Sequence, residues 1–136
     1  MPLAPEYQAM FDELAAAGAS PSLAEIPGAD ARAVYRAMRP INPELSIGAI
    51  ENAQISGPSG AISIRIYRPE GDGRFGTLVY FHGGGWVIGS IETHEAFTGF
   101  LAKELKAKIF SVDYRLAPEH PFPIPLADCE AAFNWV

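Results

Sequence analysis

The spacing of apolar residues changes along the chain, and the change divides it. From Pro5 to Ala17, Tyr7, Met10, Phe11 and Leu14 recur at i, i+3, i+4 and i+7, one apolar stripe on a predicted helix. Gly18 supplies a stop, and Ser20-Pro21-Ser22 reads as a linker. A second helix is predicted over Ala29–Met38, with Val34, Tyr35 and Met38 on one side and Pro40 and Pro43 ending it. No strand pattern occurs in this stretch. Two short helices bury little surface by themselves, so the segment is expected to lie on something else.

From Ile47 the period shifts. Ile50–Ile55 reads as a strand, and Ala61–Tyr67 alternates Ile62, Ile64 and Ile66 against Ser63 and Arg65, a period of two with one wet face. Gly57-Pro58-Ser59-Gly60 between them makes the pair an antiparallel hairpin. A polar turn covers Pro69–Gly76. Thr77–Phe81 is short and apolar without alternation, the pattern of a strand buried on both faces of a parallel sheet. Thr93 is the expected N-cap of a helix through Lys106, with Phe97, Phe100, Leu101 and Leu105 on one face. Lys108–Asp113 is a second buried-type strand, Arg115–Pro125 a proline-rich loop, and a further helix starts at Leu126. A hairpin followed by strands alternating with helices predicts an α/β fold whose crossovers build a parallel sheet. There is no internal repeat and no low-complexity tract.

Composition narrows the function. The chain is 49% hydrophobic and 19% charged, as globular domains are. Its formal net charge is −6 and its ten basic residues are scattered, which argues against nucleic-acid binding. No apolar run approaches the roughly 18–20 residues of a membrane span. Met1–Met10 has neither a basic start nor an apolar core, so no secretory signal is read there. The lone Cys129 cannot form an internal disulfide, and a cytoplasmic setting is the simplest expectation.

Candidate chemistry concentrates in Tyr80-Phe81-His82-Gly83-Gly84-Gly85-Trp86. Three glycines directly after a buried strand leave backbone free of side chains, so successive N–H groups can converge on a developing oxyanion. A flexible turn is the alternative reading of the same residues. A nucleotide cradle is not, because neither G-x-G-x-x-G nor G-x-x-x-x-G-K fits the spacing. With three histidines and one cysteine at unhelpful spacings, His94 and His120 included, no metal site is expected. Cys129 shares a helical face with Leu126 and Phe133 and is expected to be a small core residue.

His82-Gly83-Gly84-Gly85-Trp86 after an apolar strand resembles the HGGG motif of lipases and esterases. About 30 residues on, Asp113-Tyr114-Arg115-Leu116-Ala117-Pro118-Glu119-His120-Pro121-Phe122-Pro123 resembles the D-Y-R-L-A-P-E-x-x-F-P block of the same family. In this order the two resemble the hormone-sensitive-lipase-like, or bacterial family IV, esterases over essentially the whole chain. The resemblance implies the N-terminal part of an α/β-hydrolase fold: residues 1–45 a helical cap segment, residues 46–136 the first half of the core. It implies Gly83 and Gly84 as oxyanion donors, with Gly85 letting the loop turn. His82, Asp113, Tyr114, Arg115 and Glu119 are implied as loop supports. Tyr114 is expected to hydrogen-bond to the glycine loop, and Arg115 to pair with Asp113 or Glu119. Trp86, Tyr7 and Phe11 are candidates to line the substrate pocket, core packing being the competing role. Small-molecule esters are the implied substrates, and no cofactor is implied.

None of the eight serines lies in G-x-S-x-G, the setting of the nucleophile in this fold. By the resemblance, the catalytic serine, acid and histidine would all follow Val136, and the 136 residues alone are expected to be inactive. The family's sheet order also places Thr77–Phe81 beside a strand leading into the serine elbow. Without that strand an apolar edge stays open, and the chain is expected to be poorly soluble unless a complementary segment or another copy covers it. The alternative is a truncated, non-catalytic homologue that binds a partner through this edge.

Overall fold

In the computed structural model, which describes residues 4–18, 23–39 and 48–136, the β-branched runs form the predicted hairpin. Strand β1 (Ala49–Gly57) pairs antiparallel with β2 (Gly60–Arg68), in a register that sets Ile55 opposite Ile62 and closes at Gly57 and Gly60. After a loop come β3 (Gly76–Phe81), a helix, and β4 (Ala107–Asp113). The sheet order is β1-β2-β4-β3, with β2 antiparallel and β3 parallel to β4. The helices are α1 (Pro5–Ala16), α2 (Gly28–Ala37), α3 (Glu95–Leu105) and α4 (Ile124–Trp135).

Alternation along β2 separates two cores. Ile62, Ile64 and Ile66 join Ile55, Val112 and Tyr114 under Ala132 of α4. On the other face Tyr67 and Ile109 pack with Ala107 and Ala102, the last from α3. Each fully buried isoleucine contributes roughly 1.5–3 kcal/mol relative to exposure. The second face of β2 is therefore not wet as its pattern implies: α3 covers Tyr67, and Arg65 pairs with Glu92 and Glu95 at 3.3 Å.

Two further expectations change. The helix after the glycine loop begins at Glu95, not at a Thr93 cap; Thr93 lies in a preceding 3-10 turn, where its hydroxyl exchanges hydrogen bonds with Ser90. Its buried face is Thr98, Gly99 and Ala102, whereas Phe97, Phe100 and Leu105 are exposed. Small residues let the helix approach β4 closely, while Leu101 packs at the margin of that core and Phe97 lies beside Tyr80 of β3 at 5.8 Å. Likewise β3 is not covered on both faces. Among the described residues it is an edge strand, bonded to β4 alone, and its residues are half-buried or exposed.

Among the described residues, no strand pairs with the outer side of β3. Beside it, α4 starts at Ile124 rather than Leu126 and turns Leu126 and Phe133 outward. Cys129 is accordingly half-buried, and burial with Asp128 nearby pushes its thiol up to about 11, where it is inert as a nucleophile.

α1 forms where its stripe predicts, with Pro5 at a first-turn position whose N–H has no helical partner to lose. It buries none of its residues, and Tyr7 and Phe11 are exposed. The Ser20–Ser22 linker, Pro40, Pro43 and the 45/46 boundary lie outside the described residues. Among the described residues no helix is long and apolar enough to cross a membrane.

Candidate active site

The glycine loop leaves the carboxyl end of β3, next to the loop leaving the carboxyl end of β4. In open α/β sheets ligands sit outside these strand ends. The two loops are stitched together. The Tyr114 hydroxyl donates to the His82 carbonyl, the two rings stack at 4.4 Å, and the Ala117 N–H donates to the Trp86 carbonyl at 2.8 Å. Tyr114 thus performs the expected bridge.

The loop folds back on itself at Gly84. Its carbonyl accepts N–H groups from Val87 at 3.1 Å and Ile88 at 3.0 Å. That turn excludes any side chain at Gly84: φ is +136°, and a Cβ there would lie 2.0 Å from the Ile88 carbonyl oxygen. Gly89 closes the back of the loop under the same restriction, since a Cβ there would meet His82 Nδ1 at 2.4 Å. Gly83 differs, with no atom within 4 Å of a built Cβ. Among the described residues, the loop's backbone hydrogen bonds use the Gly84 carbonyl but not the N–H groups of Gly83, Gly84 or Gly85.

His82 is buried, and its Nδ1 lies 3.1 Å from the Gly83 carbonyl. A carbonyl only accepts, so Nδ1 carries the proton and Nε2 is the bare acceptor. Nε2 has no partner among the described residues.

Arg115 does not pair with Asp113 or Glu119, as expected, but with Asp128 of α4. Its Nε and Nη2 reach the two carboxylate oxygens at 2.7 and 2.6 Å, its own N–H adds a bond at 3.1 Å, and Nη1 reaches the Ser59 carbonyl at 3.1 Å. This bidentate pair ties the second loop to α4 and to the β1–β2 turn. Burial pushes the Asp128 carboxyl up, but the hydrogen bonds and charge of Arg115 bring it below the ordinary range. Glu119 is taken instead by Arg32 of α2, at 2.6 and 3.0 Å, and this hydrogen-bonding draws its carboxyl down to about 2. Asp113 sits at the end of β4, its carboxyl raised mainly by burial and then by Glu92. Trp86 does not pack in the core: it is 64% exposed, in the left-handed region at φ +59°.

Residues 78–136 match a family described as "alpha/beta hydrolase fold". The chain is 41% identical over 104 residues to the carboxylic ester hydrolase LipN of Mycobacterium tuberculosis, covering 76% of this chain and 27% of that protein. It is 39% identical over 93 residues to an arylesterase of Saccharolobus solfataricus, 68% of this chain and 30% of that one. An ester hydrolase from the Lake Arreo metagenome, solved with a bipyridine phosphonate derivative, superposes at a TM-score of 0.88 with 41% identity over 98% of this chain and 44% of that one. The hyperthermophilic esterase of Pyrobaculum calidifontis gives 0.83 with 35% identity over 100% and 44%. The chain has the α/β-hydrolase fold. It spans under a third of the curated relatives' length, and under half of the solved chains.

Within this α/β-hydrolase segment the sequence reading missed Arg32, Asp128 and Gly89. Asp128 and Arg32 carry no local signal, since they lie 13 and 87 positions from Arg115 and Glu119. Gly89 was legible only as one more glycine in a loop.

The imidazoles of His82 and His94 stack at 5.5 Å, and burial is the main cause that lowers both pKa values. The unfolded chain takes up protons on both as pH falls through about 6.5, while the folded chain resists until lower pH. Their contribution is therefore complete above that value and is lost as pH falls toward the depressed folded pKa values. Urea midpoints of the α/β hydrolase carrying these residues are expected to drop between pH 7 and pH 5.5. The drop should flatten in a His82→Gln/His94→Gln double variant; an equal slope in both would exclude the histidines as its source.

Proposed function

We propose that this chain is the oxyanion-loop part of a serine carboxylic-ester hydrolase of the hormone-sensitive-lipase-like type, acting on small acyl esters without metal or cofactor. The observation that carries the reading is a set of backbone amides after a sheet strand, at Gly83 and Gly84, held by a braced turn and not spent on the loop's own bonds. Gly85 continues that bare stretch. When a serine hydroxyl adds to an acyl carbon, the carbonyl oxygen becomes an anion. Donors already aimed at that position need no reorganisation, and each is worth about 3–4 kcal/mol of barrier. Neutral His82, buried beneath the loop, holds the Gly83 carbonyl and takes no part in proton transfer. Serine, base and acid would come from residues other than these 136, and the lone thiol suits a reducing, cytoplasmic setting.

Gly83→Ala tests the reading because the fold has room for the methyl. In the full-length hydrolase, the methyl crowds the seat of the carbonyl oxygen. A fall of about a hundredfold in kcat/KM for p-nitrophenyl acetate is expected, with the unfolding midpoint unchanged. Unaltered turnover would remove Gly83 from the site.

A second reading rests on the free edge of β3. Phe81, Leu126, Cys129 and Phe133 line an open hollow of about 530 Å³ there. As a non-catalytic homologue, the chain would bind a partner strand at that edge, and Gly83→Ala would leave binding untouched.

A further inference from the structure

We propose that Arg32, on α2, is a positioning residue that sets the glycine loop through two carbonyls. Resting on the oxyanion reading, the proposal adds a residue from the N-terminal segment to the support of that site. The guanidinium sits where three segments meet. Nε donates to the Val87 carbonyl at 2.7 Å, Nη2 to the Ala117 carbonyl at 2.7 Å, and Nη1 and Nη2 grip the Glu119 carboxylate at 3.0 and 2.6 Å. Four bonds from one planar fork fix its orientation in a way a lysine ammonium cannot reproduce.

The contact reaches the candidate donors in two steps. Val87 is the residue whose N–H closes the turn onto the Gly84 carbonyl, and Arg32 holds the other end of that residue. The neighbouring carbonyl, Trp86, is held by the Ala117 N–H, while Arg32 holds the Ala117 carbonyl. Two consecutive carbonyls of the glycine loop are thus fastened from outside, one by Arg32 and one by the residue that Arg32 fastens. This is the segment that carries Trp86 at φ +59°, a left-handed conformation that is unfavourable for an L-residue and needs such restraint. Packing runs the same way: a Cβ at Gly28, at the start of α2, would lie 3.0 Å from Pro118 and 3.3 Å from Val87. Glu119 stays ionised over the whole working range, so the clamp does not release near neutral pH.

The test has two readouts. In amide hydrogen exchange on the full-length protein, Arg32→Ala is expected to speed exchange at Val87 and Ile88 by about tenfold or more, with β4 amides unchanged and Arg32→Lys intermediate. In the full-length hydrolase, kcat should fall by about ten- to a hundredfold with KM within threefold. Inactivation by a phosphonate that mimics the tetrahedral oxyanion should slow by the same factor as kcat. Wild-type exchange at Val87 and Ile88, a uniform rise across the chain, or a loss confined to KM would each overturn the proposal. Glu119→Gln, which weakens the clamp without emptying it, serves if Arg32→Ala does not fold; it is expected to show the same pattern at smaller amplitude, and no loop-specific change would count against the clamp. Failure here with Gly83→Ala inactive would sink Arg32 alone, whereas full activity of Gly83→Ala would sink the oxyanion reading.

Discussion

Asp128→Ala is expected to lower the stability of the hydrolase segment by about 3–5 kcal/mol, the cost of breaking a buried ion pair from one side. The carboxylate is fully buried and accepts three bonds from Arg115. Removing it leaves the guanidinium, whose side chain is only 20% exposed, without a counter-charge. The loss falls on three elements together, because Arg115 also holds the Ser59 carbonyl of the β1–β2 turn. Asp128→Asn keeps one acceptor oxygen and the packing, and should cost less. Urea denaturation separates the cases; an alanine variant within 1 kcal/mol of the parent, a bound set well under the expected range, would mean that water replaces the carboxylate at little cost.

Gly84→Ala is expected to be the most damaging change in the glycine loop. Its methyl would lie 2.0 Å from the Ile88 carbonyl oxygen, and φ of +136° is itself unfavourable for alanine. Backbone must move, and what moves is the turn closed by Val87 and Ile88. Misplacement by about 1 Å of groups that position the reaction costs on the order of a hundredfold in rate, and strain in a packed turn adds about 1–3 kcal/mol to the stability loss. The variant should therefore lose both ester turnover and thermal stability, whereas Gly83→Ala loses turnover alone. Measuring kcat and Tm for the two side by side checks the contrast. Equal Tm losses would mean that the space around Gly83 is not as open as the structure has it.

Much of the framework was readable from residue order. Period-two alternation at Ile62, Ile64 and Ile66 located β2 and its inner face, and the Gly57–Gly60 stretch located the hairpin turn. The apolar runs at Thr77–Phe81 and Lys108–Asp113 located the parallel pair within a residue at each end. Where the reading failed, a choice among non-local partners was involved. Phe97 and Phe100 looked like the core stripe of α3, yet close approach to β4 selected Thr98, Gly99 and Ala102. Arg115 had carboxylates two and four residues away, yet it pairs with one 13 residues on, because α4 brings Asp128 under the loop.

Residue order alone decided the strands, the helices and the bare backbone after β3, because periodicity and missing side chains are local properties that every neighbour in the chain enforces. Tertiary structure alone decided which charges meet, which face of α3 packs on the sheet, and that α2 grips the glycine loop through Arg32. Those outcomes depend on distances between segments up to 87 positions apart, and no local pattern encodes such distances.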